Sequence, residues 1–227
     1  MSASSAGARR APPKPRRAPE RGSPVRIGDK RDRILDAAVR VFARKGFHAT
    51  RVSEVAKAAG VADGTIYLYF ESKDHLLVSL FEHRVERLLD YLERELPRAP
   101  SAALKLQRII ELQLGLLQGE RDLAEVVTVI FRQSTKLMKE YGAPKFNAYL
   151  DVIARVIAEG QESGELRSDV APHVAARAVF GALDAIAMTW ALGKADHGGL
   201  LRTCGQLVEM ILRGLTSPAA GSGPPQP

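Results

Sequence analysis

Between Thr50 and Phe70 two short apolar patterns flank a glycine corner at Gly60, and this corner constrains the chain more than any other stretch. On its near side Val52, Val55, Ala56 and Ala59 recur at helical spacing, with Ser53, Glu54 and Lys57 on the opposite face. Thr50 stands where an N-cap belongs. Gly60 suits the positive φ that a tight corner between two helices demands. Beyond it, Asp63 can cap a third, very short helix through Phe70. Upstream, Ile34, Leu35, Ala38, Val41 and Phe42 make one apolar helical face, closed by Gly46 as a left-handed cap. Three helices with a glycine corner between the second and third describe a helix-turn-helix unit.

The third helix, residues 63–70, reads DGTIYLYF. A helix meant only for packing would not put a glycine at its second position or show two tyrosines beside a threonine. A helix lying against a phosphate backbone would. Gly64 permits close approach, and Thr65, Tyr67 and Tyr69 supply hydroxyl donors. Ile66, Leu68 and Phe70 remain as anchors; the competing reading makes Tyr67 and Tyr69 ordinary core aromatics.

The rest of the chain also reads as helix. Ser72 caps a fourth helix from Lys73 to about Leu96, stopped by Pro97. Ser101 precedes a Leu/Ile-rich helix, and Asp122 opens another that runs to Met138 before the Gly142–Pro144 break. Further helices span Lys145 to Glu162, closed by Gly164, then Pro172 to Leu192 and Leu200 to Leu215. No stretch alternates with period two for long enough to suggest a strand. The expected fold is all-α, an N-terminal three-helix helix-turn-helix followed by a helical ligand-binding and dimerisation domain, about nine helices in total. The expected boundaries are 1–28 for a disordered basic tail, 29–75 for the DNA-binding unit, 76–216 for the larger domain and 217–227 for a second disordered tail.

The stretch from Arg33 to Leu80 resembles the DNA-binding domain of the TetR family throughout: ILDAA, KGF-x-A-T, VSEVAKAAGV, GTIY-x-YF and the K-x-x-L start of the fourth helix all stand in order. The resemblance implies a homodimer on a palindromic double-stranded DNA operator. It places Thr50, Arg51, Thr65, Tyr67, Tyr69 and Lys73 at phosphate-contacting positions, and Ala62, Asp63, Gly64 and Leu68 at base-facing ones. It also implies dimerisation through the last two helices. Both are rich in apolar and small residues over more than one stripe, so each must bury more than one face.

Residues 130–170 and the segment AVFGALDAIAMTWAL resemble the fatty-acid-degradation repressors of that family, the FadR type, whose effector is long-chain acyl-CoA. Such a ligand needs an apolar tunnel with cations near its mouth. Candidates for the tunnel are Phe131, Met138, Phe146, Tyr149, Phe180, Met188 and Trp190; candidates for the mouth are Arg108, Arg132, Lys136 and Lys139. The alternatives are a repressor of an efflux or other metabolic operon with another hydrophobic effector, and an architectural DNA-binding protein with none.

Charge adds little to this. Residues 1–28 hold seven basic residues and one acid, a net of +6 against +7 for the whole chain, so the basic balance describes the tail. That tail carries five prolines and no aromatic residue. Its expected contribution is nonspecific attraction to phosphates. The lone Cys204 cannot form an intrachain disulfide and is expected to be a buried small hydrophobe in a cytoplasmic protein. The five histidines are scattered, and His75, Glu82 and His83 stand two helical turns apart, a poor chelate. No enzyme, metal site or cofactor is expected. No run of eighteen uninterrupted apolar residues occurs, so no membrane span is expected either.

Overall fold

The computed structural model describes residues 27–130, 143–193 and 199–216. The tails of residues 1–26 and 217–227 lie outside it, as do Phe131, Arg132, Lys136, Met138 and Lys139 of the expected ligand set. Nine α-helices are present among the described residues: α1 (Ile27–Lys45), α2 (Val52–Ala59), α3 (Asp63–Ile66), α4 (Lys73–Glu95), α5 (Ala102–Leu117), α6 (Arg121–Glu125), α7 (Ala143–Glu162), α8 (Pro172–Leu192) and α9 (Gly199–Leu215). The only β pairing among them is an isolated bridge between Leu166 and Thr216. The architecture is all-α, as the periodicity implies.

The glycine stops act as expected: Gly46, Gly60 and Gly164 have φ of 78°, 66° and 77°. Ser72 and Ser101 cap α4 and α5 by accepting from the backbone N–H groups of His75 and Leu104. Pro97 sits in a single 3₁₀ turn, Leu96–Arg98, that ends α4.

Several local expectations need correction. The N-cap of α2 is Arg51, with Glu54 reaching back to accept from its N–H at 3.0 Å. Thr50 is 3% exposed and its hydroxyl donates inward to the carbonyl of Gly46 at 2.8 Å. Asp63 is the first residue of α3 rather than its cap, which is Ala62, and α3 ends at Ile66 with a turn carrying the chain to Phe70. Leu68 anchors nothing, being 81% exposed; Ile66 and Phe70 alone fill that role. The helix expected from Asp122 to Met138 is α6 followed by a wide π-type turn, Val126–Ile130, beyond which the chain is outside the described residues. Thr128 donates its hydroxyl to the carbonyl of Ala124, a back-bond that competes with regular helical pairing.

One packed core runs through both halves. Val55, Ala56 and Ile66 close the head against Ile34, Leu35 and Phe42 of α1, while Leu76, Leu77 and Leu80 of α4 carry the core toward Leu106, Ile109 and Ile110 of α5. α1 packs on α4 and on α6, and α6 packs on α8, so the head touches the larger domain along two routes. Cys204 is buried, and burial pushes its thiol pKa up, as a structural cysteine requires.

Helix α8 is long and apolar enough by composition to cross a bilayer, although Arg177 and Asp184 interrupt its apolar run. Its apolarity has another cause. Ala175, Ala176, Val179, Leu183, Ala187, Trp190 and Ala191 are buried in the protein's own core. The opposite stripe, Val174, Ala178, Gly181, Ala185 and Leu192, is exposed at helical spacing.

Candidate DNA-contacting face and effector cavity

The head presents its short third helix outward. With Ile66 and Phe70 turned into the core, Ala62, Asp63, Gly64, Tyr67 and Leu68 point to solvent, with Tyr67 58% and Leu68 81% exposed. Thr65 is half-buried, as is Tyr69, which packs against the core. A Cβ added at Gly64 would meet nothing within 4 Å, so an approaching backbone finds open space there. The core-aromatic alternative therefore does not hold for Tyr67, while Tyr69 is divided between core and surface. Exposing a tyrosine and a leucine side by side has no use in packing.

Lys73 sits differently from a free cation. Its Nζ donates to the carbonyls of Phe47, His48 and Thr50 at 2.8, 3.1 and 2.9 Å and lies 4.7 Å from the centre of the Phe47 ring. It ties the start of α4 to the turn between α1 and α2. Arg51 is exposed beside it. Arg33 donates to the carbonyl of Ala59 at 2.7 Å, and Lys45 pairs with Glu54, so the α1–α2 corner is held by three separate cations.

In the larger domain, α4 to α8 line a largely apolar cavity of about 260 Å³ that opens to solvent. Its walls include Phe81, Val85 and Leu88 of α4, Leu116 and Leu117 of α5, Leu123 of α6 and Val127 of the π-type turn. Phe146, Tyr149 and Phe180 form its aromatic side, with the Phe146 and Phe180 rings 4.7 Å apart, edge to face. Tyr149 is buried and donates its hydroxyl to Gln113. Burial raises its pKa far above the ordinary phenol value, which keeps it a neutral donor.

Of the expected ligand set within the described residues, Phe146, Tyr149 and Phe180 do meet around this cavity. Arg108, Met188 and Trp190 do not line it. Arg108 pairs with Glu95 at 2.9 Å and Glu111 at 3.4 Å, and the Glu95 hydrogen bond holds its pKa above the usual guanidinium value. Trp190 is buried beneath Arg121, whose guanidinium lies 5.5 Å from its ring. Periodicity marks a residue as buried without saying whether it faces a cavity or solid core. Among the described residues, the arginines beside the cavity are instead Arg84 and Arg87 of α4. They lie in a charged helix stretch, HRVER, that reads in sequence as an ordinary solvated face.

Both halves have counterparts among known proteins. Residues 34–80 match the family pattern described as bacterial regulatory proteins of the tetR family, and residues 81–214 match that of the C-terminal region of YsiA-like proteins. The fatty acid metabolism regulator protein of Bacillus subtilis is 33% identical over 80% of this chain and 93% of its own length. The repressor KstR of Mycolicibacterium smegmatis is 45% identical, but over only 26% of this chain and 29% of its own. Among solved structures, the transcriptional regulator FadR from Bacillus subtilis in complex with stearoyl-CoA superposes with a TM-score of 0.75 at 34% identity, covering 81% of this chain and 98% of that one. With an outward third helix on a helix-turn-helix head, and with both halves matched in order, the chain belongs to the TetR family of bacterial regulatory proteins.

Proposed function

We propose that the protein is a cytoplasmic DNA-binding repressor of fatty acid degradation genes that leaves its operator when long-chain acyl-CoA binds. The observation that carries this reading is the cavity lined by α4 to α8, apolar along most of its walls, with Arg84 and Arg87 of α4 and the carboxylates of Glu120 and Asp184 among its polar lining. An acyl chain is buried by such walls, and a phosphate-bearing head is held by such cations. The likeness to the Bacillus subtilis regulator over both halves supports the same choice.

On the DNA side, Thr65, Tyr67 and Tyr69 grip phosphates, together with Thr50, Arg51 and Lys73. Thr50 and Lys73 contribute mainly by bracing the corner, because their polar atoms already serve the protein's own carbonyls. Ala62, Asp63, Gly64 and Leu68 face the bases. Two copies dimerise through α8 and α9, which the exposed small-residue stripe of α8 and exposed Met210 of α9 support. The paired heads then reach successive major grooves about 34 Å apart. Ligand in the cavity presses on α4 and α6, both of which pack on α1. The coupling is reciprocal, so operator DNA weakens acyl-CoA binding as much as acyl-CoA weakens operator binding.

Titrating stearoyl-CoA into a complex of the protein with its operator tests the reading. Release at micromolar ligand is expected; no release at that concentration excludes acyl-CoA as effector while leaving the DNA-binding assignment in place. Ala185→Glu on the α8 stripe is expected to sediment as a monomer, and an unchanged dimer would place the interface elsewhere.

A further inference from the structure

Arg84 lines both the apolar cavity and a second cleft, and it also hydrogen-bonds to helix α1. It lines the 260 Å³ cavity and also a cleft of about 520 Å³ bounded by Asp36, Val39 and Arg40 of α1, Arg87 of α4 and the α5–α6 corner. Its Nη2 donates to Asp36 Oδ1 at 2.7 Å, bridging α4 to α1 of the DNA-binding head. Its Nε is buried and has no acceptor among the described residues.

The two partners are unequally placed. The Arg84 side chain is 14% exposed and that of Asp36 is 55% exposed. A mostly buried guanidinium needs an anion, and a spare buried N–H is costly to leave unmatched. A half-exposed carboxylate returns to water at little cost. Arg121, also on the cleft, is already committed to the carbonyls of Trp190 and Ala191 at 2.8 and 3.2 Å. Glu120 and Asp122 put negative charge on that same wall. An incoming phosphate is therefore drawn to the α4 side, where Arg84 stands.

We propose that Arg84 is an exchangeable latch: it holds Asp36 of α1 in the ligand-free protein and gives up that carboxylate for the phosphates of an acyl-CoA head lodged in the cleft. The inference rests on the acyl-CoA reading above and adds how occupancy reaches the head. Breaking the α4–α1 bridge is the differential contact that lets ligand binding and DNA binding oppose each other. A guanidinium suits the exchange, since it binds a carboxylate or a diphosphate with the same fork of donors.

The experiment uses the full-length dimer and three probes: stearoyl-CoA, free coenzyme A as head alone, and stearate as tail alone. In Asp36→Asn, stearoyl-CoA and coenzyme A are expected to bind several-fold more tightly because their competitor has lost its charge, with stearate unchanged. Operator affinity without ligand should fall, and the ratio of operator affinities without and with saturating stearoyl-CoA should shrink by about tenfold. Arg84→Gln should weaken stearoyl-CoA by about tenfold and leave stearate unaffected, with Arg84→Lys restoring part of the loss. If stearoyl-CoA binds the unaltered protein and Asp36→Asn changes neither its affinity nor the ratio, the latch is wrong and the effector assignment stands. If Arg84→Gln weakens stearate equally, Arg84 merely shapes the cavity and the latch is again wrong. If stearoyl-CoA does not bind the unaltered protein at all, both ideas fall. Melting curves of each variant confirm that the comparison is between folded proteins.

Discussion

The proposed DNA-contacting face and the proposed effector cavity are built in opposite ways. The face is local: every residue assigned to it lies within the stretch from Thr50 to Lys73, and four of its exposed positions, Asp63, Gly64, Tyr67 and Leu68, fall on one short helix and the turn after it. The cavity is assembled from α4, α5, α6, α7 and α8, with contributors from Phe81 to Ala187. A local site survives as a string of letters. A dispersed one exists only when five helices have been packed. The comparisons differ in the same way: the repressor KstR matches over only 26% of this chain, while the Bacillus subtilis regulator matches over 80% of it.

Substitutions that strike one region and spare the other test the comparison. The largest effect is expected from Tyr67→Ala, which removes a side chain 58% exposed to solvent. If the proposed dimer reads a palindrome, losing one contact in each half-site should cost about 100-fold in operator affinity, measured by fluorescence anisotropy, with the melting temperature unchanged. A large drop in melting temperature would return Tyr67 to the core. Next is Leu116→Trp on the cavity wall. Filling that space should weaken stearoyl-CoA by at least about tenfold in calorimetry while operator affinity stays at the unaltered value. If operator binding falls equally, face and cavity are not separable.

Lys73→Met sharpens the boundary between the regions. With three carbonyls losing their donor, the head should lose about 2 kcal/mol of stability in urea unfolding. A variant that unfolds normally but binds DNA poorly would make Lys73 a phosphate contact first. The smallest effect belongs to Glu165, whose carboxylate accepts from the N–H groups of Ala102 and Ala103 at 2.8 Å each and so caps α5 from another part of the chain. Burial raises its pKa, but the hydrogen bonds from Ala103, Ala102 and Ser101, together with the charge of Lys105, outweigh that and leave it below the ordinary carboxylate value of 4.5. A lowered folded-state pKa means the stabilisation is complete above that value and is lost as pH falls below it through the folded one. Glu165→Gln should cost about 1 kcal/mol at neutral pH, and the difference from the unaltered protein should vanish in acid. A constant difference at every pH would show that shape, not charge, makes the cap.

Much of this molecule was legible before any coordinates. Gly46, Gly60 and Gly164 announce their left-handed turns because few other residues adopt them, and Ser72 and Ser101 mark helix starts by short-range hydrogen bonds. Thr50, by contrast, looks like a cap and is not one, because a buried hydroxyl found the carbonyl of Gly46 behind it. Leu68 looks like an anchor until α3 stops at Ile66 and the following turn swings it outward. Glu165 gave no signal at all, since its partners lie more than sixty residues away. Gly160 likewise reads as an unremarkable helix glycine; a Cβ there would meet that of Ala102 at 2.6 Å, a close approach of α7 to α5 that only packing creates.

The sequence by itself determined the helical fold, the order of the helices and the character of the head, because periodicity, turn residues and caps act over a few positions of chain. Tertiary structure alone decided which aromatics border a cavity and which fill solid core. It also decided that Arg84 and Arg87 rather than Arg108 stand beside it, and that Lys73 is spent on carbonyls. Those outcomes depend on which helix faces which, and a side chain's partner across an interface is not written in its neighbours along the chain.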